Sequence, residues 1–192
     1  MGSTLQNVAS VTLNSAMKNR LDVPRDEEKE LQRVRAVKRY ENLTSKTKKA
    51  LDDVTHLARQ IFHVPIAMVC FVDLHNVFVK SGAMGETPEP VDRNKTLCSR
   101  AILISDVTVI QNQEMQEYLL TNPLIAREQG LEFYAAAPLV TDDGLNIGTF
   151  CLLDTKNRAF LQEDKDILAS FSRIVMNELE LCHTSLKDFN PQ

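Results

Sequence analysis

The stretch Phe133 to Thr155, FYAAAPLVTDDGLNIGTFCLLDT, decides the fold class of this chain of 192 residues. Two runs rich in β-branched, aromatic and small apolar residues, Phe133–Val140 and Asn146–Asp154, flank the segment Thr141–Leu145. That segment contains Asp-Asp-Gly, the chemistry of a tight turn, so the stretch predicts a β-hairpin. Neither strand has a polar face, and we therefore expect helices to cover the sheet on both sides rather than leave one side in water.

The second strand of this hairpin divides its side chains between two faces, because successive residues of a strand point in opposite directions. One face is predicted to carry Ile147, Thr149, Cys151 and Leu153. The other face is predicted to carry Gly148, Phe150 and Leu152. Both sets are dominated by apolar residues, which is the pattern of a strand buried on both sides.

The composition is that of an ordinary folded protein, with 43% hydrophobic residues, 25% charged residues and a formal net charge of −4. The length suits one domain with an additional N-terminal arm. The acidic balance argues against a nucleic-acid partner. No apolar run approaches the ~18 residues of a membrane span, and the N-terminus lacks the pattern of a signal peptide. We therefore expect a cytoplasmic protein with no membrane partner.

Four cysteines, Cys70, Cys98, Cys151 and Cys182, are scattered along the sequence without any C-x-x-C pair. This spacing predicts neither a zinc site nor the disulfide framework of a secreted protein. The four histidines show no ligand spacing with carboxylates, so the sequence predicts no metal site. A reducing cytoplasm fits these free thiols best.

Around the hairpin, the chain divides into four regions. We expect a flexible N-terminal tail over 1–24, an amphipathic helix over 25–45, a domain over 46–187 and a C-terminal tail over 188–192. The helix over 25–45 has one narrow apolar stripe and a highly charged opposite face. It therefore either lies along the domain or pairs with the same helix of a second copy, as a dimer arm.

Inside the domain, helical and strand patterns alternate with loops. We expect a helix at about Lys48–Phe62, strands at Pro65–Asp73, Val77–Ser81 and Asp106–Gln111, the hairpin, and a long helix from Phe160 to about Lys187. In the first of these helices, the residues expected to pack on the sheet are Leu51, Val54, Leu57, Ala58, Ile61 and Phe62. The long helix carries more apolar surface than one sheet face needs, which indicates a homodimer interface that it shares with the helix over 25–45.

Several segments of the chain also carry a family resemblance. In the hairpin, an aromatic-Tyr-Ala-x-x-Pro-Leu strand and a D-G turn lead into GTFCLLDT at Gly148–Thr155. Earlier, Pro65–Asp73 begins P-I-A and ends in Asp, and Phe78–Ser81 returns as F-V-K-S. Over about Lys46–Cys182 these segments resemble the core of a GAF domain, a small-ligand sensor module.

The resemblance implies an α/β (α+β) sandwich with helices on both faces of a central antiparallel sheet. That sheet would have five to six strands in the order 2-1-5-4-3. The pattern is similar to GAF domains that precede histidine kinases and diguanylate cyclases in bacteria, although no output domain is expected here. It implies a stand-alone sensory or regulatory module that binds an unidentified small molecule, forms a homodimer and acts through a signalling protein partner. The resemblance names no cofactor.

A ligand pocket would lie between the sheet and the segment Gly82–Gly130, whose first part, Gly82–Asn94, is a lid candidate. The polar residues expected to line it are Arg93, Cys98, Ser99, Asn112, Tyr118, Asn122, Tyr134 and Thr149. Each also has an ordinary structural explanation, such as packing for Tyr134 or a turn for Asn122. A filled core, with the fold serving only dimerisation or interaction, is therefore a further alternative.

Cys98 decides between a binding module and an enzyme. It stands in the first turn of a predicted short helix, where backbone N–H groups favour a thiolate, but a free cysteine is commonly just a small buried residue. The segment Cys98–Ala101 is similar to the C-x-x-A segment of free methionine sulfoxide reductases, which are GAF-fold enzymes, and this similarity would make Cys98 the nucleophile. Those enzymes need further cysteines to release product through a disulfide, and this chain has none in the corresponding loops. Catalysis is therefore disfavoured, and whether Cys151 comes near Cys98 is left open.

Overall fold

The structure, a computed structural model, describes residues 27–82, 89–115 and 130–189. The predicted N-terminal tail lies outside these residues, as do 83–88 of the lid candidate, Tyr118, Asn122 and the last three residues of the chain. The chain divides into two compact units, residues 1–32 and 33–192. The described part of the first unit is the N-terminal end of a helix.

The second unit contains the hairpin and the elements around it. The helices that concern the site are α1 (Glu27–Arg39), α2 (Ser45–Phe62), α3 (Cys98–Ala101) and α4 (Gln162–Phe189). The strands are β1 (Ile66–Val72), β2 (Asn76–Ser81), β3 (Val91–Asp92), β4 (Thr108–Gln111), β5 (Phe133–Val140) and β6 (Asn146–Asp154). Side-chain capping fixes the start of α2, because the Thr44 hydroxyl accepts a hydrogen bond of 3.1 Å from the Thr47 backbone N–H.

The six strands form one antiparallel sheet in the order β3-β2-β1-β6-β5-β4. The short β3, only two residues long, was not expected from the sequence. With β3 left out and the strands renumbered, the order is the expected 2-1-5-4-3. In the hairpin, β6 lies beside β1 at the centre of the sheet, and β5 lies between β6 and the edge strand β4. The two hairpin strands pair from Phe133 opposite Asp154 to Val140 opposite Asn146.

One residue of the hairpin lies on the face opposite to the one predicted. Leu139 pairs with Gly148 and Val140 pairs with Asn146, so Ile147 is an extra residue in β6, as in a β-bulge. A bulge interrupts the alternation of side chains, and Ile147 packs in the same apolar cluster as Phe150. The prediction that Ile147 shares a face with Thr149 is therefore wrong.

Both faces of the sheet are covered, as the apolar hairpin predicted. On one side, which we call the helix-pair face, α2 and α4 pack on the sheet with the C-terminal half of α1. Its buried side chains include Leu51, Ala58, Phe62, Phe71, Phe150, Leu168, Phe171, Val175 and Leu179. On the other side, which we call the α3 face, α3 covers β1, β5 and β6. Among the described residues, no helix combines the length and the apolar character that a membrane span requires.

The apolar stripe of α2 is wider than the surface that it buries. Leu51, Ala58 and Phe62 are buried, whereas Leu57 is 48% exposed and Ile61 is 46% exposed. Leu57 and Ile61 each precede a buried residue by one position, which turns them about 100° away from it around the helix. The expectation that both pack on the sheet is wrong.

Candidate functional site

Three of the four cysteines meet on the α3 face. Cys70 lies in β1, Cys151 in β6 and Cys98 at the first residue of α3, and their three sulfur atoms all lie within 4.8 Å of one another. We call these residues the thiol cluster. All three are free thiols and buried, with exposed fractions of 2%, 0% and 7% for Cys70, Cys151 and Cys98. Three cysteines that are far apart in the sequence are therefore close together in the folded domain.

Strand register brings two of these thiols together. Cys70 pairs with Thr149 across β1 and β6, and Cys151 pairs with Met68. Paired residues of neighbouring strands point to the same side, so Cys70 and Cys151 share a face and are offset by two positions. Because β1 and β6 are interior strands of the sheet, these two sulfurs have a rigid support.

Hydrogen bonds at both ends of α3 bring the third thiol to the sheet. Before α3, the backbone N–H of Arg93 donates to the His75 carbonyl oxygen (2.8 Å), and Arg93 Nη1 donates to the Asp73 carbonyl oxygen (3.1 Å). After α3, Asn146 Nδ2 donates to the Ile102 carbonyl oxygen (2.9 Å). The chain is thus tied to the β1–β2 turn and to β6, and Cys98 faces the strands between these ties.

Two hydroxyl groups adjoin the thiol cluster. The Tyr134 hydroxyl donates to Cys98 Sγ at 3.5 Å, and this side chain is only 1% exposed. Thr149 is 0% exposed and stands opposite Cys70. Its Oγ1 makes no hydrogen bond of normal geometry with any described residue, although it is close enough to Cys98 to lower the pKa of that thiol. The site is therefore a buried set of three sulfurs and two hydroxyls.

A third hydroxyl on the α3 face also has no hydrogen-bond partner in the described part of the chain. Thr108 of β4 stands opposite Ala136 of β5, whose side chain belongs to the cluster on the α3 face. Its Oγ1 is buried and has no hydrogen bond. On the helix-pair face the buried hydroxyls are bonded: Ser172 donates to the Pro138 carbonyl oxygen (2.5 Å), and Thr55 and Ser81 share a bond of 3.1 Å. The buried threonine hydroxyls of the two faces thus differ, because Thr108 and Thr149 on the α3 face make no hydrogen bond of normal geometry with a described residue.

The electrostatics of the thiol cluster favour a negative charge on one sulfur. Hydrogen bonds from the thiols of Cys151 and Cys70 hold the pKa of Cys98 well below its usual value, against the opposing effect of burial. Hydrogen bonding to the other two thiols, together with burial, raises the pKa of Cys70. The Cys70 thiol lowers the pKa of Cys151, but the hydrogen bond to Cys98 and burial outweigh it, so that pKa is raised. Cys98 is therefore the sulfur that carries charge first.

The structure brings three of the expected site residues together, namely Cys98, Tyr134 and Thr149. Arg93 is buried but reaches the β1–β2 turn, and the Ser99 hydroxyl donates to the Arg93 carbonyl oxygen, so the described contacts of both residues position α3. Asn112 is exposed at the end of β4, where its N–H donates to Asn157 Oδ1 at 3.3 Å. Tyr118 and Asn122 lie outside the described residues.

Cys70 and Cys151 were not among the expected site residues. A signal for them was present, because Thr149 and Cys151 alternate onto one predicted face of β6. Which residue of β1 stands beside them depends on register, however, and register could not be read from the hairpin alone.

A separate open groove lies at the β2 side of the domain. Its volume is about 530 Å³, and its lining includes Lys48, Asp52, Lys80 and Glu89. Lys80 Nζ stands 5.2 Å from the centre of the Phe71 ring and 5.6 Å from that of Phe78, and burial lowers the pKa of Lys80. The thiol cluster contributes no residue to this lining.

The architecture is that of an α/β sandwich of the GAF type. Its antiparallel sheet carries a helix pair on one face and a short helix over a buried polar cluster on the other. The family model described as "GAF domain" matches residues 47–179. This match spans most of the chain, and the chain belongs to the GAF family.

Comparisons with individual proteins agree with this assignment. The chain is 30% identical over 126 residues to a cyclic di-GMP phosphodiesterase of Pseudomonas aeruginosa; the alignment covers 65% of this chain and 21% of the relative. The chain thus spans about a fifth of the length of that protein.

Solved structures share the fold at lower identity. The GAF domain of a phosphoenolpyruvate-protein phosphotransferase from Acinetobacter has a TM-score of 0.59 at 10% identity, over 81% of this chain and 96% of that one. A type II free methionine-R-sulfoxide reductase from Thermoplasma acidophilum has a TM-score of 0.56 at 15% identity, over 71% and 94%. At these identities the similarity concerns the fold alone.

Proposed function

We propose that this chain is a sensory or regulatory GAF module of signal transduction, whose input is a small molecule bound on the α3 face. The observation that carries the proposal is the difference between the two faces of the sheet. Buried hydroxyls on the helix-pair face are hydrogen-bonded, whereas Thr108 and Thr149 on the α3 face have buried oxygens without a bond of normal geometry to a described residue.

Energetics support this interpretation. A buried polar group without a partner costs about 1–3 kcal/mol, so folded proteins rarely keep one without a reason. Thr108 on β4 and Thr149 on β6 are two strands and two residues apart. With strands about 4.8 Å apart and residues about 3.4 Å apart, they are separated by roughly 12 Å, which one small molecule can span. A ligand that offers polar atoms to both hydroxyls supplies the missing hydrogen bonds.

The output of such a module requires a partner protein. The relative from Pseudomonas aeruginosa is a cyclic di-GMP phosphodiesterase, and only 21% of its length aligns with this chain. We propose that the present chain regulates a signalling protein, in the cytoplasm and as a homodimer. Exposed apolar residues support the dimer: Leu57 and Ile61 on α2, and Ile174 and Leu181 on α4, are 46–65% exposed, and the two helices pack against each other.

One observation favours an enzyme as the second candidate. The sequence argues against a reductase because the loops in which that family carries its partner cysteines contain none, yet two thiols lie within 4.8 Å of Cys98. In that reaction the Cys98 thiolate would attack the sulfoxide sulfur and release the thioether, leaving a sulfenic acid on Cys98. A neighbouring thiol would then form a disulfide and release water, and an external dithiol would reduce the disulfide. We rank this candidate second because all three thiols are buried and the substrate must reach the Cys98 sulfur.

Native mass spectrometry of the full chain as purified from cells tests the first candidate. We expect non-covalent organic mass on the native protein that is lost on denaturation, and less of it on the Thr108→Val and Thr149→Val variants. Cys182→Ser is the control, because Cys182 is also buried but lies on α4. Added mass that is equal in all variants would contradict the proposed site. Turnover of free methionine sulfoxide with a dithiol reductant, abolished in Cys98→Ser, would favour the enzyme. A protein with neither added mass nor turnover would favour a ligand-free interaction module.

A further inference from the structure

We infer that the thiol cluster is a binding site for a single soft metal ion, and that its three sulfur donors fit Cu(I) best. This inference goes beyond the sensory role and does not depend on it. The site would exist whether or not an organic molecule binds on the α3 face.

The positions of the sulfur atoms are the first argument. A metal–sulfur bond of about 2.3 Å sets three thiolates about 4.0 Å apart around a trigonal ion and about 3.8 Å apart around a tetrahedral one. In the structure all three sulfurs lie within 4.8 Å of one another. Closing the site around an ion therefore requires movements of no more than about 1 Å, within the range of side-chain rotation at Cys98 on the short α3.

The chemistry of the surroundings selects the ion. Within the described residues, the donor group consists of three cysteines and includes no histidine or carboxylate. The nearest oxygens belong to Thr149 and Tyr134, and a neutral hydroxyl is not among the usual fourth ligands of zinc. Met68, the strand partner of Cys151, and the buried Met115 belong to the same side of the sheet. Soft sulfur ligands favour Cu(I), zinc and iron–sulfur clusters, and among these a three-sulfur site without a nitrogen or carboxylate ligand fits Cu(I) best.

The support around the sulfurs is the third argument. Cys70 and Cys151 are held by interior strands, and Cys98 is held by a segment that is bonded to the sheet on both sides. The Tyr134 hydroxyl points at Cys98 Sγ and can stabilise the negative charge of a metal-bound thiolate. Such outer hydrogen bonds orient the ligands and tune metal affinity. Binding transfers no electrons: Cu(I) enters, sulfur–copper bonds form, and each displaced thiol proton goes to solvent.

Anaerobic titration of the reduced full chain with Cu(I), in competition with a chromophoric Cu(I) chelator, tests the site. We expect one Cu(I) per chain and a sulfur-only first shell with bonds of about 2.3 Å by X-ray absorption. Cys98→Ser should weaken binding by more than the roughly 10–100-fold that loss of an outer partner costs. Cys182→Ser removes a buried cysteine outside the cluster, and this variant should bind Cu(I) as tightly as the wild type does.

Two outcomes would overturn the inference. Equal Cu(I) affinity in Cys98→Ser and Cys182→Ser would exclude the cluster as the site, and tighter binding of Zn²⁺ with an oxygen ligand would exclude Cu(I) as its ion. Cys70→Ser and Cys151→Ser change strands of the sheet and can prevent folding, whereas Cys98 lies outside the sheet. The Cys98→Ser variant therefore keeps the test valid, and circular dichroism checks that each variant is folded. Since organic mass and copper are distinguished by native mass spectrometry, failure of this site and failure of the ligand proposal are separate results.

Discussion

Thr149 is the residue whose hydroxyl most directly supports a ligand site on the α3 face. It is fully buried at the centre of the sheet, between Cys70 on β1 and Pro138 on β5. Thr55 offers a comparison, because its buried hydroxyl bonds to the Asp52 carbonyl oxygen (3.0 Å) and to Ser81 Oγ (3.1 Å). Within the described residues, a threonine hydroxyl thus has oxygen partners on one face of the domain, and on the other face it makes no hydrogen bond of normal geometry.

Replacing each threonine by valine should separate the two cases. Thr149→Val removes a buried oxygen that lacks a good partner, so the free energy of unfolding of the ligand-free protein should stay level or rise by up to about 1 kcal/mol. Thr55→Val breaks a bonded pair and leaves Ser81 with one bond fewer, which should cost about 1–3 kcal/mol. Urea denaturation measures both. A loss of more than about 1 kcal/mol in Thr149→Val would mean that this hydroxyl is already satisfied in the free protein.

The candidate site was predictable from the sequence only in part. Cys98, Tyr134 and Thr149 follow from a short helix beside a loop and from the alternation of the hairpin strands. Cys70 and Cys151 are separated by a long stretch of sequence, and their contact depends on how β1 and β6 pair. That register is a long-range property, which no local pattern encodes.

At the scale of elements, the contact between β1 and β6 requires a glycine. A Cβ atom on Gly148 would lie 2.0 Å from the Cys70 carbonyl oxygen, which is backbone and cannot move aside cheaply. Gly148 also adjoins the bulge at Ile147. Close approach of the two backbones is therefore part of what sets Cys70 opposite Thr149.

Gly148→Ala should consequently destabilise the domain severely. We expect at least the 1–3 kcal/mol typical of an overpacked core, because the clash is with backbone. Gly144→Ala is the control: a Cβ there meets no atom within 4 Å, and only the positive φ of 78° opposes it, at a cost of about 1 kcal/mol. Equal unfolding midpoints for the two variants in urea would contradict the close approach.

The hairpin turn is held by an ion pair with α1. Arg39 Nη2 donates to both carboxylate oxygens of Asp143, at 2.8 and 3.0 Å, and this bond lowers the pKa of Asp143. A carboxyl whose pKa is lower in the folded state contributes stability above its unfolded pKa of about 3.9 and loses it as the pH falls through the folded value. The pair is exposed to solvent, so its contribution is below about 1 kcal/mol.

Asp143→Asn should therefore lower the free energy of unfolding by less than about 1 kcal/mol at pH 7, and the difference from wild type should shrink below pH 4. The matched control is Asp142→Asn, which changes the same charge in the same turn at a residue with no ion pair among the described residues. Urea denaturation of the three proteins at pH 7 and pH 3 measures the effect. A difference that grows on acidification would contradict the assigned direction of the pKa shift.

Most elements of the fold were predictable because their patterns are local. The paired strands of the hairpin, β1, β2, α2 and α4 were all expected with bounds that differ by a few residues. The exceptions have physical causes: β3 is only two residues long, and Ile147 lies at a bulge, where alternation fails. Sequence periodicity also could not tell how much of the apolar stripe of α2 the sheet would cover.

At the scale of the whole molecule, the exposed apolar residues of α2 and α4 are the surface that we propose for a second copy. Ile174 is 50% exposed and Leu181 is 65% exposed, and they are seven positions apart, about two helical turns, so they lie on one side of α4. We therefore expect size-exclusion chromatography with light scattering to give the mass of a dimer for the wild type.

Leu181→Glu should convert that dimer to a monomer, because it places a charge in an apolar contact. Leu103→Glu is the matched control, since Leu103 is 53% exposed but follows α3 instead of lying on α2 or α4. The control should remain a dimer. A wild type that elutes as a monomer at all concentrations, or a dimer that both variants preserve, would contradict this interface.

We propose above that the α3 face receives the input of this GAF module. Hydrogen exchange measured by mass spectrometry, comparing the chain as purified from cells with the same chain unfolded, dialysed and refolded, tests it most directly. If a ligand occupies the site, refolding removes it, and amides of 97–104 and of β6 should exchange faster in the refolded protein, while those of α2 stay unchanged. Identical exchange throughout both samples would contradict an occupied input site on this face.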